Sequence, residues 1–236
     1  MSFQKFSVRG AMALLIAALT ACGSSPHAAT TPVTVYNVSA DPGQNLPATG
    51  RGKHVLLTTA MLRSTLDSLL SKHVTLVAAL MHQVGEGDDS PTEHISALAA
   101  NSQALTDVIA RVYGHDAARA FAQLWEQHTQ FFIDYAHADR VHSNAAKRLA
   151  QGQLLDYQND FASFVSTATA SNTSLTAVTG LLHAHVHDLT SYIDADVAGH
   201  DTEAHQILIE AVATMHVIAK TVSDAIAAQH LETVSP

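Results

Sequence analysis

From Thr92 to Ser235 the chain contains no proline. Proline inside a helix removes a backbone hydrogen bond and clashes with the preceding turn, so this long stretch, rich in Ala, Leu, Gln and His, is open to continuous helix. Apolar residues recur through it at steps of three and four, the spacing of one helical face. A face of that kind on every helix must be covered by other helices, so the expected fold is an all-α helical bundle. Six helices are expected, at about 56–83, 91–113, 116–138, 143–168, 174–198 and 202–230. Ser90-Pro91-Thr92-Glu93 reads as a capping box with proline at the first helical position. Gly114 and Gly199 read as C-terminal stops, and Ser143 and Asp201 as N-caps.

The helices repeat. Leu69-Leu70-Ser71-Lys72-His73 matches Leu124-Trp125-Glu126-Gln127-His128 and Leu181-Leu182-His183-Ala184-His185, with the final histidines 55 and 57 residues apart. Asn101, Gln158 and Met215 recur at intervals of 57 in the alternate helices. The expectation is three tandem helical hairpins, at about 56–113, 116–168 and 174–230, within a domain spanning 54–236. One hairpin cannot bury its own stripe, so the three must pack together.

Histidine is unusually frequent, at 16 residues, and its placement carries the chemistry. The apolar stripes run Leu62, Leu66, Leu69, His73, Leu76, Leu80; then Phe121, Leu124, His128, Phe131, Tyr135; then Val178, Leu181, His185, Leu189, Tyr192. In each, a histidine takes an inward slot suited to leucine. The alternate helices place Asn101, Gln158 and Met215 inward in the same way. Two readings are open. Buried polar groups need partners, so His73 can pair with Asn101 and His128 with Gln158 to set helix register, with Met215 as apolar filler. Alternatively, threefold packing brings His73, His128 and His185 together as a three-imidazole site for zinc or copper, with Met215 favouring Cu(I). That second reading fails if the three side chains lie more than about 8 Å apart.

Two further groups stand out. His183 and His187 are one turn apart on one helical face, the spacing of an outer metal-chelating pair. The loops inside the hairpins should share one end of the bundle. They would gather His82, His94, His137, His142, His200 and His205 with Asp88, Asp89, Asp139, Asp194, Asp196 and Asp201. Such a surface attracts divalent cations and responds to pH.

Several classes are disfavoured. A formal charge of −9, from 12 basic and 21 acidic residues, offers no basic face for nucleic acid. One cysteine excludes an intramolecular disulfide and a thiolate cluster. No helical Glu-x-x-His pair, His-Glu-x-x-His, Gly-x-Ser-x-Gly elbow or P-loop occurs, so no catalytic constellation is legible.

Lys5 and Arg9 precede an apolar run from Ala11 to Leu19, too short to span a bilayer but suited to a signal peptide. It ends in Leu19-Thr20-Ala21-Cys22, which resembles the lipobox of bacterial lipoproteins at all four positions. The resemblance implies cleavage of residues 1–21 and lipid attachment to the thiol and new amino group of Cys22. It places the protein on the cell membrane or outer membrane, outside the cytoplasm. Residues 22–53, with Pro26, Pro32, Pro42 and Pro47, then read as a flexible tether. The Leu-Leu-x-x-His hairpins at about 57–230 resemble secreted bacterial helical-repeat proteins, some with copper-related names. No amine-oxidase chemistry accompanies that resemblance here. The expected function is transition-metal binding by helix-borne histidines of a lipid-anchored envelope protein. The alternative is a non-catalytic interaction or structural module with structural histidines.

Overall fold

The computed structural model describes residues 58–88 and 91–232. The expected leader, Cys22 and the expected tether lie outside the described residues. Within them are six helices and no strand: α1 (Thr59–Gly85), α2 (Thr92–Tyr113), α3 (His115–Arg140), α4 (Asn144–Ala168), α5 (Leu175–Val197) and α6 (Asp201–Glu232). No helix among the described residues is long and apolar enough to cross a membrane.

Local chemistry sets the boundaries. The Thr58, Ser143 and Ser174 side chains accept from the amides of Met61, Ala146 and Ala177, satisfying donors the first turn leaves free. Pro91 is itself the N-cap of α2 and makes no side-chain capping bond, so the helix starts one residue later than expected, and Ser90 lies outside the described residues. Asp201 is the first residue of α6 rather than its N-cap, where its charge favours the positive end of the helix dipole. Gly114 joins α2 to α3 directly, at φ 85° and ψ 174°, a conformation open almost only to glycine.

The three hairpins close into a ring. α1, α3 and α5 pack on one another as an inner triangle, while α2 rests on α1 and α3, α4 on α3 and α5, and α6 on α5 and α1. Seating α6 against both α5 and α1 ends the repeat as a closed bundle instead of a solenoid. The inner helices end together: a Cβ on Gly85 would lie 3.3 Å from Val197 Cγ2, and one on Gly87 would lie 3.4 Å from the Arg140 guanidinium.

The turns after the inner helices obey the same symmetry. Gly87, His142 and Gly199 each lie 14 residues beyond the repeated histidine and adopt positive φ, at 97°, 54° and 73°. In each turn the next amide reaches back to a carbonyl five residues earlier: Asp88 to Gln83, Ser143 to Ala138 and His200 to Ala195. This is the Schellman stop.

The core is layered about the pseudo-threefold axis. Leu70, Trp125 and Leu182 lie three residues before the histidines, and Val77, Phe132 and Leu189 four after them; all are buried. Burying each side chain of this size is worth about 1.5–3 kcal/mol. The expected stripe is off by one position at five of these six places, where Leu69, Leu76, Leu124, Phe131 and Leu181 are only half-buried, whereas Leu189 is buried as expected. Each inner helix touches four neighbours, so its buried face is wider than a single stripe and turns toward the axis.

Candidate metal centre

At the level of the repeated histidines the inner helices place three imidazoles face to face. His73, His128 and His185 are all buried, and one ring nitrogen from each lies within 4.8 Å of the others. The Nε2 atoms of His73 and His128 are 3.1 Å apart. Between neutral imidazoles that contact needs opposite tautomers, one Nε2–H donating to the other's lone pair. The Nδ1 atoms of all three rings have no hydrogen-bond partner.

Aromatic side chains wall the chamber. Trp125 lies 4.6 Å from the His73 ring and 4.7 Å from that of His128, centroid to centroid. Tyr157 stacks on His128 at 4.8 Å and 12°, and Phe132 stands edge-on to His128 and His185 at 6.1 Å. The apolar stripes placed neither Trp125 nor Tyr157. Trp125 was detectable from its register, since it occupies the position of Leu70 and Leu182; no pattern marks Tyr157.

Burial controls the charge state. Desolvation first, then repulsion from charge on His128 and His185, holds His73 well below the ordinary histidine value of 6.5. Desolvation, then His185, brings His128 down to about 3, with the backbone of Trp125 acting in the opposite sense but forming no aligned bond to Nδ1. Burial alone brings His185 down to about 4. All three rings are therefore neutral at pH 7, the form that binds metals.

The arrangement fits an ion. Nitrogens bound at about 2.0–2.1 Å in tetrahedral or trigonal geometry lie about 3.3–3.6 Å apart. The closest contact, at 3.1 Å, would open by a few tenths of an ångström and the widest would contract by little over 1 Å, about what side-chain rotation supplies. These three close buried histidines can hold a metal ion.

The expected pairing with the outer helices does not form. Asn101 is buried, but its Nδ2 donates to the carbonyl of Leu69 at 3.0 Å, and its Oδ1 has no partner. Gln158 is also buried, yet His128 bonds to His73 instead. Rotation of the inner helices toward the axis turns the imidazoles to each other and away from those amides. Met215 is buried on α6 and lines an apolar cavity of about 70 Å³ together with His185, Leu182 and Trp125.

The other candidates behave differently. His183 and His187 are exposed on α5. Among the described residues the one set of three His, Cys, Asp or Glu side chains close enough to hold an ion is His73, His128 and His185. At the loop end several of the charges form ion pairs. Lys147 bridges Asp139 at 2.5 Å and Asp194 at 2.8 Å, and Asp194 also accepts from the Tyr135 hydroxyl at 2.8 Å. Desolvation opposes the charge on Lys147, but its hydrogen bonds to the two carboxylates outweigh that and raise its pKa. His82 pairs with Asp196 at 3.0 Å. Asp89 lies outside the described residues. Sequence reasoning also missed the exposed pair of His216 and Asp67, 2.6 Å apart, which ties α6 to α1.

Comparison with protein-family models, curated proteins and solved structures returned no significant match to this chain.

Proposed function

We propose that this chain is a lipid-anchored protein of the bacterial envelope that captures or buffers a transition metal, copper or zinc, through His73, His128 and His185. The observation that carries the reading is the convergence of three buried, neutral imidazoles, with one ring nitrogen of each within 4.8 Å of the others. An ion at their meeting point would give all three converging nitrogens one shared electrostatic partner. The lipobox ending at Cys22 supports export and anchoring. At least two acyl chains would make that anchoring stable.

The competing reading is a non-catalytic envelope module whose histidines only specify packing. The bond between His73 and His128 favours it, since it satisfies one nitrogen on each ring without a metal. Titration of the tag-free protein from residue 54 onward with Cu(I) and Zn(II) separates the two. Metal capture predicts one tightly bound ion per chain, lost when His73, His128 and His185 are together replaced by leucine. Weak binding in excess of one equivalent, unchanged by that replacement, supports the structural module.

A further inference from the structure

Resting on that metal-binding reading, we infer that the chamber selects by charge: it takes a soft monovalent cation, Cu(I) or Ag(I), in preference to Zn(II) or another divalent ion. The ligand set is three neutral imidazoles with no carboxylate or thiolate among them. Among the described residues no Asp, Glu, Lys or Arg is buried. Nothing in the core thus offsets the charge that an ion brings in. The desolvation cost of an ion grows as the square of its charge, so a divalent ion meets about four times the cost of a monovalent one.

The surroundings of the rings point the same way. Imidazoles that hold divalent metals usually donate their second N–H to a carboxylate or carbonyl, which raises ligand basicity. Here none of the three Nδ1 atoms has an aligned acceptor, and the rings of Trp125, Phe132 and Tyr157 pack against the imidazoles. Bare imidazoles of this kind suit a soft ion that bonds largely through covalency. The Met215 thioether, on the wall of the cavity shared with His185, is a soft donor that complements such an ion and adds no charge.

Trp125, the chain's single tryptophan, reports on the chamber directly. The experiment titrates the full chain, in detergent and without oxygen, with Ag(I) and with Zn(II), following Trp125 fluorescence and co-elution of the metal. Ag(I) is expected to change the fluorescence with saturation at one equivalent, and a tenfold excess of Zn(II) should leave that endpoint unmoved. Met215→Leu, checked for folding by circular dichroism, should weaken Ag(I) binding roughly tenfold. Saturation by one equivalent of Zn(II) that displaces Ag(I) at equal concentration overturns the charge selectivity but leaves the metal site standing. Failure of both ions to bind the wild-type protein overturns the metal-binding reading itself.

Discussion

Lowering the pH should unfold the metal-free protein through its three inner histidines. Their folded values are depressed, to about 3 for His128 and about 4 for His185, and well below 6.5 for His73. The unfolded chain binds more protons than the native one between those values and 6.5. Stability is therefore complete above pH 6.5 and falls as the pH drops toward 4. Each buried imidazole costs about 1.4 kcal/mol per pH unit in that window, or about 2 kcal/mol at pH 5. His128 and His185 together remove about 4 kcal/mol there, and His73 adds to the loss. A domain with an ordinary stability of about 5–15 kcal/mol is then near unfolding. Urea unfolding followed by circular dichroism at pH 7.5 and 5.0, with a chelator present, measures the loss as a drop in midpoint at constant slope. The variant with His73, His128 and His185 all replaced by leucine should lose several kcal/mol less between the two pH values. An equal drop in both proteins would show that the acid sensitivity does not lie in these three histidines.

Five further outcomes follow from named residues. His185→Leu removes an unpartnered Nδ1 and should leave the metal-free protein as stable as wild type or about 1 kcal/mol more so, whereas His73→Leu strands His128 Nε2 and should cost about 1 kcal/mol, both read by urea midpoints. Gly114→Ala forces a side chain into φ 85° and should cost about 1–3 kcal/mol although nothing blocks its Cβ, measured as a lower Tm. His142→Gly relieves the one non-glycine stop among the three threefold-related turns and should stabilise by about 0.5–1 kcal/mol in the same assay. Lys147→Ala leaves Asp139 and Asp194 facing each other without their shared cation, and should cost about 2 kcal/mol and speed amide exchange at the ends of α3 and α5.

The helical bundle was legible because the pattern is redundant. One period recurs in six segments, and a histidine interrupts the stripe at the same point in every second helix. The spacing of His73, His128 and His185 announced one structural level. What the period cannot specify is helix rotation within about one residue. The stripe through Leu69, Leu124 and Leu181 gave way to one through Leu70, Trp125 and Leu182. That small rotation decides whether His73 meets Asn101 or His128. Ring closure was also hidden, since the seating of α6 against α1 depends on contacts between the two ends of the domain. The Lys147 bridge is read only in three dimensions, because it joins residues of α3, α4 and α5.

X-ray absorption on protein loaded with one equivalent of Cu(I) and freed of excess metal decides whether the three inner imidazoles hold a metal ion. Nitrogen scatterers at about 2.0 Å with the multiple-scattering pattern of imidazole are expected, and both should be lost with the bound copper when His73, His128 and His185 are replaced by leucine. Copper that washes away, or an unchanged spectrum in that variant, would contradict coordination by these histidines.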